Sequence, residues 1–338
     1  MPIGAHLVLH EQADPEAVAR DGCRLGAVLI ETARRFNTPL AIPLMDLMLE
    51  KALLLESAGI SSGESATYHF EAMPDEEFAS RVVERLDAHR DARLEASLRA
   101  IEETAHHPDL LPIGMAIGPF SLMTKLIKDP IMAVFLAGRG ETAERSPRVA
   151  LAEYMLETAL RAIEWSVRRQ CEAGAKAVVI CEPAAGTAFL SPRQIAGGAD
   201  IFDRFVMKPH RRLKQTLDAC GADLILHDCA ELTDEMLRRI AELDPAILSL
   251  GGSRKLWEDA TLVPKTTVLY GNLPTKQFYS DADLSVAKVE RRTRELLERM
   301  RSTNHPFILG SECDVLSVPG REETIRTKVV AFMNATEA

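Results

Sequence analysis

The sequence predicts an α/β fold, a (β/α)8 barrel of the TIM type that occupies residues 1–338 as a single domain. Short apolar runs alternate with amphipathic helical patterns almost from end to end, and eight of these runs suit strands. Several of the runs are apolar on both faces, which is typical of parallel strands covered by helices. The length of 338 residues also suits one domain of barrel size.

Most of the predicted strands are followed by a helix. Two helices have a clear start, because Ser146-Pro147 and Ser191-Pro192 each place a capping hydroxyl before a proline at the first helical position. The helix after Pro147 is expected to end at Gly174, where a left-handed residue is needed. In chain order, the predicted strands are 7–10, 40–44, 112–118, 177–183, 223–229, 246–251, 267–272 and 307–311.

The segment at about 61–109 differs from the rest of the chain because it is rich in charge. Residues 75–103 are predicted to form one or two amphipathic helices between the second and third strands. We interpret this segment as a helical insertion on the barrel rather than as a separate domain. Its charged face is expected to contact solvent, and a partner-binding surface is the alternative.

Charge and composition exclude two classes of protein. A net charge of -10 and a pI near 5.5 leave no basic field for phosphates, so nucleic-acid binding is not expected. No apolar stretch has membrane-spanning length and no basic-apolar leader begins the chain, so we expect no membrane contact and a cytoplasmic protein. The six cysteines are scattered and do not resemble a disulfide framework, which leaves core, metal-binding or catalytic roles.

Polar and ionisable residues recur at the carboxyl ends of the predicted strands, where parallel barrels carry their chemistry. This repetition on different strands is stronger evidence than any single residue. The candidates are Asp46 after the second strand, Glu182 in the fourth, His227 and Cys229 in the fifth, Tyr270, Gly271 and Asn272 in the seventh, and Cys313 after the eighth.

His227, Cys229 and Cys313 are candidate zinc ligands, because one imidazole and two thiols hold zinc while leaving a fourth position open. His227 and Cys229 are two apart on an extended segment, so their side chains project to the same face. That pair alone is weak evidence, and Cys313 strengthens it if the barrel closes. Cys181 is a rival ligand, but Glu182 follows it directly, so one of those two must point away from the barrel axis.

The other candidates have both a functional and a structural interpretation. Glu182 could orient a substrate or act as a general acid, or it could be a strand-end carboxylate that binds backbone or water. The same two interpretations apply to Asp46. Considered by itself, this residue favours the structural interpretation. Gly271 allows another group to approach the backbone closely, and the side-chain amide of Asn272 can donate a hydrogen bond to a carbonyl group. Asparagine at a turn is as often structural.

The proposed zinc ligands help to decide whether the metal would activate a thiol or a water molecule. Zinc can lower the pKa of an incoming thiol and hold it as a thiolate, or it can activate water for hydrolysis. Two sulfur ligands donate charge to the metal and weaken its Lewis acidity. The ligand types therefore favour delivery of a thiolate.

Taken together, the motifs resemble the uroporphyrinogen decarboxylase superfamily, in its branch of zinc- and corrinoid-dependent methyltransferases such as methylcobalamin:coenzyme M methyltransferases. The resemblance runs from about Pro15 to the carboxyl end. A His-x-Cys pair with a distant cysteine is fairly specific to that branch, whereas the Gly-Pro-Phe and Gly-Asn-Leu elements mark only the superfamily. The matching stretches are Gly118-Pro119-Phe120, Glu182-Pro183, Leu190-Ser191-Pro192, His227-Asp228-Cys229, Tyr270-Gly271-Asn272-Leu273, and Cys313-Asp314-Val315 with Pro319.

The resemblance implies a (β/α)8 barrel whose zinc ligands are His227, Cys229 and Cys313. It implies that a methyl group moves between the cobalt of a corrinoid, on a separate small protein or as free cobalamin, and a small substrate. The substrate is then either a thiol acceptor or a methyl donor such as a methoxy compound. Glu182 and Asp46 match acidic, catalytic positions of the family pocket, and the Tyr270-Gly271-Asn272 stretch is expected to contact substrate or cofactor.

The sequence departs from the family pattern at several positions. The arginine-bearing amino-terminal motif of the decarboxylases is not visible, so porphyrin decarboxylation is not expected. Where a further acidic zinc ligand can follow the sixth strand, the chain has Gly251-Gly252, with Glu258 more distant. Glu312 stands where a glycine usually precedes the last cysteine, and Pro274 replaces an acid after Gly-Asn-Leu.

Two other functions compete with methyl transfer. One is a metal-free lyase like the decarboxylases, with Asp46 as the principal acid. The other is a non-catalytic subunit that presents a corrinoid protein to a partner, in which the helical insertion would be the important feature. The sequence leaves open whether the chain works alone or as a homodimer.

Overall fold

One parallel sheet organises the chain, and neighbours in sequence are neighbours in the sheet from the first strand to the last. The computed structural model describes residues 4–88, 90–315 and 317–335, and seven strands lie within these ranges. They are β1 (Leu40–Ala41), β2 (Leu111–Ile117), β3 (Ala177–Cys181), β4 (Asp223–Asp228), β5 (Ile247–Leu250), β6 (Val268–Leu273) and β7 (Phe307–Ser311). The parallel α/β architecture predicted from the sequence is confirmed.

Helices connect the strands and cover the outer face of the sheet, as parallel pairing requires. They are α1 (Ala5–Leu9), α2 (Pro15–Ala19), α3 (Gly22–Arg35), α4 (Leu49–Ser57), α5 (Ser62–Ser65), α6 (Phe78–Leu86), α7 (Ala92–Ala105), α8 (Pro119–Leu126), α9 (Pro130–Gly138), α10 (Pro147–Glu172), α11 (Pro192–Ala196), α12 (Lys208–Cys220), α13 (Asp234–Ala241), α14 (Leu256–Asp259), α15 (Val286–Thr303) and α16 (Glu322–Asn334). A π-helical turn spans Asp203–Met207, and a 3-10 turn spans Thr275–Gln277. In the ranges that the structure describes, none of these helices combines the length and the apolar character needed to cross a bilayer.

The sheet curls around a core of its own. Side chains from all seven strands, or from the residues that continue them, meet in a single apolar cluster on one face. Because side chains alternate between faces along a strand, strands at the two edges can share such a cluster only if the sheet is strongly curved. The buried members of this inner cluster are Ile42, Ile113, Met115, Ala177, Val179, Cys181, Ile225 and Tyr270. The result is a half-barrel that is consistent with a TIM-like barrel.

The first predicted strand, 7–10, is wrong, because this segment forms helix α1. Leu7, Val8 and Leu9 are all buried, so the run carries no alternation that would distinguish strand from helix. Backbone hydrogen bonds from Val8 to Gly4 and from His10 to His6 close the helical turns. The helix packs against α3. The sheet in the described part of the chain therefore has seven strands instead of the predicted eight.

Four helices, α4 to α7, lie between β1 and β2. The predicted helical segment 75–103 contains α6 and most of α7, and each helix buries one apolar face, with Phe78, Val82 and Leu86 on α6. Helix α7 packs against α3 and against β2. The interpretation of the segment 61–109 as an insertion stays a prediction, as does the single domain over 1–338.

The two proline-marked helices begin where the sequence places them. Pro192 opens α11, and the Ser191 hydroxyl accepts a hydrogen bond from the backbone N–H of Gln194 at 3.4 Å. Pro147 opens α10, but the Ser146 side chain makes no capping hydrogen bond, so its predicted capping role is wrong. The start of α10 therefore depends on the fixed backbone angle of the proline.

Candidate metal centre

Three side chains of the predicted ligand set converge. One ligand atom from each of His227, Cys229 and Cys313 lies within 4.8 Å of the other two. His227 lies on β4 and Cys229 is the first residue after that strand, whereas Cys313 comes after β7. Because β5 and β6 separate these strands in the sheet, only the curl of the sheet brings their carboxyl ends together. The convergence expected from the sequence is present.

His227 is oriented by the neighbouring strand. Its Nδ1 lies 3.0 Å from the Oγ of Ser249, its register partner on β5, and both residues are buried. The other ring nitrogen, Nε2, is buried without a hydrogen-bond partner. Burial lowers the pKa of His227, so the ring is neutral at pH 7. When Nδ1–H donates to Ser249, the lone pair of Nε2 is available to a metal ion.

Cys229 and Cys313 are free, half-buried cysteines. The Cys229 thiol donates a hydrogen bond to Cys313, which lowers the pKa of Cys313 below its usual range. The same contact, together with burial, raises the pKa of Cys229. One thiolate is therefore stabilised beside the ring of His227, and thiolate is the form of cysteine that binds metals.

This donor set fits zinc. Zinc bonds to sulfur at about 2.3 Å, so tetrahedral ligand atoms stand about 3.8 Å apart, within the span of the cluster. A buried imidazole nitrogen with no partner, facing two thiols, is the arrangement that a metal ion would complete. In the described ranges the cluster contains three ligands, which leaves a fourth position for a substrate.

The structure shows which of Cys181, the rival ligand, and the adjacent Glu182 faces the inner cluster. Cys181 belongs to the inner apolar cluster, and burial raises the pKa of its thiol well above the usual range. It is the register partner of His227 on the adjacent strand but is not part of the three-ligand cluster. A neutral buried thiol behaves as a small hydrophobic side chain.

Glu182 directly follows Cys181 of the inner cluster, so the alternation of side chains turns it to the opposite face, and it is not part of the ligand cluster. Its carboxylate accepts backbone hydrogen bonds from Phe120 at 3.3 Å and from Ser121 at 2.5 Å, at the start of α8. A methyl group on Gly118 would collide with this carboxylate. Burial raises the pKa of Glu182 to about 7, and the Nε2 of His210 lies 3.3 Å away. Its geometry is that of a helix cap, and its catalytic role stays a prediction.

Asp46 is placed beyond β1 and is also outside the ligand cluster. Its carboxylate accepts a hydrogen bond from the Nη1 of Arg93 at 2.9 Å and another from the backbone N–H of Met48 at 2.9 Å. The side chain is 38% exposed. These contacts hold Asp46 in an ion pair at the surface, and its catalytic role stays a prediction.

The Tyr270-Gly271-Asn272 stretch lies beside the ligand cluster without joining it. The Asn272 amide donates to the carbonyls of Gly251 and Arg254, each at 2.8 Å, and so fastens the loop after β5. Tyr270 is buried in the inner apolar cluster, where burial raises the pKa of its phenol. Contact of these residues with substrate or cofactor stays a prediction.

The departure at Gly251-Gly252 has a structural reason. A side chain on Gly251 would place its Cβ 2.8 Å from the carbonyl oxygen of Cys229, so the loop can approach the ligand strand this closely only with glycine. Glu258 instead pairs with Lys255 at 3.0 Å, with both side chains 61% exposed. Glu312 accepts a hydrogen bond from the N–H of Gly252 at 3.0 Å.

Sequence reasoning missed two residues that contact the ligand set. Ser249 could have been found, because it is the register partner of His227 once β4 and β5 are paired. Lys276 lies in the turn after β6, where burial lowers the pKa of its ammonium group but the nearby Cys229 and Cys313 raise it by more, so that the net pKa is raised. No spacing in the sequence points to Lys276, because its position depends on the path of the loop.

Comparison with known proteins agrees with this geometry at the level of family and fold. The family model described as uroporphyrinogen decarboxylase (URO-D) matches residues 18–334, which confirms the resemblance found in the sequence. Among curated proteins, none matches this chain. A solved structure of a methyltransferase from Methanosarcina mazei matches with a TM-score of 0.67 and 17% identity, covering 99% of this chain and 91% of that one. A 3-keto-D-glucoside 4-epimerase from E. coli matches with a TM-score of 0.39 and 15% identity, over 79% of this chain and 97% of that one.

Proposed function

The chain belongs to the uroporphyrinogen decarboxylase family, and from that premise we propose that it is a zinc-dependent methyltransferase. It moves a methyl group between a corrinoid, held on a partner protein or free as cobalamin, and a small substrate. The observation that carries the proposal is the convergence of His227, Cys229 and Cys313 with a fourth position left open. One solved structure that shares this fold is described as a methyltransferase, and that description adds support.

The residues of the site prepare it for a metal and for a sulfur substrate. Ser249 holds the ring of His227 so that Nε2 faces the two thiols, and burial keeps that ring uncharged. Cys313 supplies negative charge at the mouth of the sheet, because the hydrogen bond from the Cys229 thiol lowers the pKa of Cys313. A bound zinc ion would supply an open coordination position and a positive charge that favour the anionic form of a thiol.

The inner face of the sheet provides a dry wall beneath the ligands. Cys181, Ile225 and Tyr270 are all buried there. Exclusion of water strengthens electrostatic interactions at the site and protects a reactive methyl group from hydrolysis.

The transfer balances as a displacement at carbon. In the acceptor direction, the substrate sulfur supplies an electron pair to the methyl carbon and forms a C–S bond. The cobalt–carbon bond breaks, and its electron pair stays on cobalt. In the donor direction, the cobalt of the corrinoid supplies an electron pair to the methyl carbon. The bond between that carbon and the heteroatom of the donor breaks, and its electron pair stays on the heteroatom. The two sulfur ligands favour the acceptor direction because they reduce the Lewis acidity that a donor would require.

The two competing functions have weaker support. A metal-free lyase would use Asp46 as its acid, but this carboxylate is engaged with Arg93. A non-catalytic presenting subunit would have no use for a convergent ligand set. The corrinoid carrier therefore remains a co-substrate of the proposed reaction.

Metal analysis and a cobalamin assay test the proposal. Purified protein should contain about one zinc per chain, and Cys313→Ala should lose both the zinc and methyl transfer. The exposed Cys23 offers a matched control, since Cys23→Ala should retain both. Methylcobalamin is mixed with candidate thiols, and cobalt(I) with methoxy compounds, while absorbance spectra follow the interconversion. Full zinc retention in Cys313→Ala would contradict the proposal.

A further inference from the structure

The two edge strands of the half-barrel leave an opening between them. In the described ranges, β1 and β7 stand at opposite ends of the strand order and do not pair with each other. A cavity of about 320 Å³ lies in the opening, lined by Leu40 and Ile42 on the side of β1 and by Ile308 and Leu309 of β7. The relative position of the two edges therefore depends on other parts of the chain.

Helix α1 contacts both sides of this opening. It packs against α3, the helix that leads into β1, and it buries the side chains of Leu7, Val8 and Leu9. On the other side, the Nδ1 of His6 lies 2.5 Å from the Oδ2 of Asp314, which follows β7. The amino-terminal helix thus spans the distance between the first strand and the last.

Glu11, just beyond α1, makes a second link across the opening. Its carboxylate accepts hydrogen bonds from the Nη1 of Arg35, the last residue of α3, at 2.8 and 2.9 Å. It also accepts one from the Nη1 of Arg326 on α16, the helix that follows β7, at 3.1 Å. Exposed ion pairs contribute little to stability, and Arg35 and Arg326 are 37% and 42% exposed. The less exposed pair, His6 at 24% and Asp314 at 13%, is therefore the stronger candidate for holding the opening closed.

The contact of His6 acts on the residue next to a proposed metal ligand. Asp314 directly follows Cys313, and its Oδ1 accepts the backbone N–H of Val315 at 2.9 Å, so the carboxylate also shapes its own segment. From the side of β6, the Thr275 hydroxyl donates to the carbonyl of Cys313 at 3.3 Å. The segment that carries Cys313 is thus held from the sheet by one contact and from α1 by another.

We propose that α1 is a clasp across the opening between β1 and β7, and that His6 is a positioning residue that holds Cys313 in the geometry that binds a metal ion. The metal-binding part of this inference rests on the proposed function. The clasp itself needs no metal, because His6 contacts Asp314 rather than a ligand atom. Side chains that orient metal ligands from behind typically change metal affinity by about 10- to 100-fold.

Zinc affinity, measured by competition with a chromophoric chelator, tests the positioning role. His6→Ala should bind zinc at least about tenfold more weakly than the wild type. His6→Asn keeps a nitrogen donor in place of Nδ1 and should restore most of the affinity. His10→Ala is the matched control, since His10 is exposed and its Nδ1 contacts the carbonyl of His6 within the same helical segment.

The three variants separate positioning from a general effect on the helix. If His6→Ala binds zinc as tightly as the wild type, the positioning role is overturned. It is also overturned if His10→Ala loses as much affinity as His6→Ala, or if His6→Asn restores none of it. A double variant of His6→Ala and Asp314→Ala should bind zinc no more weakly than the weaker single variant, because both changes remove the same contact.

Hydrogen exchange of the metal-free protein tests the clasp without reference to zinc. In His6→Ala, the backbone amides of residues 312–315 should exchange at least about tenfold faster than in the wild type, since the segment opens locally more often. If exchange is faster in His6→Ala but the wild type binds no zinc, the proposed function fails and the clasp stands. If the wild type binds zinc and the exchange rates are equal, the clasp is overturned and the proposed function stands.

Discussion

The Nδ1 of His227 lies 3.0 Å from the hydroxyl oxygen of Ser249, across the pairing of β4 and β5. Both side chains are buried, and the hydroxyl is placed by sheet register rather than by a loop. The contact leaves the other nitrogen of the ring facing two thiols. A strand neighbour thus determines the orientation of the proposed metal ligand.

Replacing Ser249 by alanine tests this relationship. Ligand orientation by a neighbouring side chain typically changes metal affinity by about 10- to 100-fold, so Ser249→Ala should bind zinc at least about tenfold more weakly. Competition with a chromophoric chelator measures the affinity. Ser166 is another buried serine but contacts Glu50 instead, so Ser166→Ala should leave the zinc affinity unchanged. Equal affinities in the wild type and Ser249→Ala would show that the contact is dispensable.

Glu50 should make stability depend on pH. Burial raises the pKa of Glu50 to about 7 from 4.5, although the Ser166 hydroxyl donates to its Oε1 at 3.1 Å. An acid whose pKa is raised in the folded state binds more protons folded than unfolded. Its stabilising contribution is complete below pH 4.5 and is lost as the pH rises toward 7, by up to about 3 kcal/mol.

Glu50→Gln should therefore reduce the loss of stability between pH 5 and pH 8, and the contribution of Glu182, whose pKa is also raised to about 7, should remain. Urea unfolding of the wild type and the variant at both pH values measures the difference. The exposed Glu16 provides the control, because Glu16→Gln should keep the pH dependence of the wild type. A parallel pH dependence in the wild type and in Glu50→Gln would rule out Glu50 as its source.

Gly118 should tolerate no side chain. A Cβ at this position would collide with the carboxylate of Glu182, which accepts the backbone N–H groups of Phe120 and Ser121. Gly118→Ala should lower the free energy of unfolding by about 1–3 kcal/mol, the usual cost of overpacking. Gly63 has open space around it, so Gly63→Ala should cost much less. Chemical denaturation compares the two, and equal stabilities would mean that the carboxylate moves aside at no cost.

Much of this architecture could be predicted because its signals are local. Seven of the predicted strands were apolar runs long enough to be recognised, and their carboxyl ends identified the site. The spacing of His227 and Cys229 reflects the two-residue period of a strand. Cys313 required the further assumption that the sheet curves, which the inner cluster supports.

The missed features depend on tertiary structure. The run Leu7–Leu9 is buried on every side, so its pattern could not separate helix from strand. Alternation showed that Cys181 and Glu182 face opposite ways but not which of them faces inward. Lys276 was missed because its position depends on the path of the loop after β6, which no spacing in the sequence indicates.

The strands that supply the ligands are not neighbours, since β5 and β6 lie between β4 and β7. The three ligand atoms can therefore approach one another only after the intervening strands have paired and the sheet has bent. In the proposed holoprotein, metal affinity and conformational stability are a single linked equilibrium, because the ion binds a geometry that the unfolded chain lacks. Zinc occupancy would then report on the folding of the whole carboxyl-terminal half of the sheet.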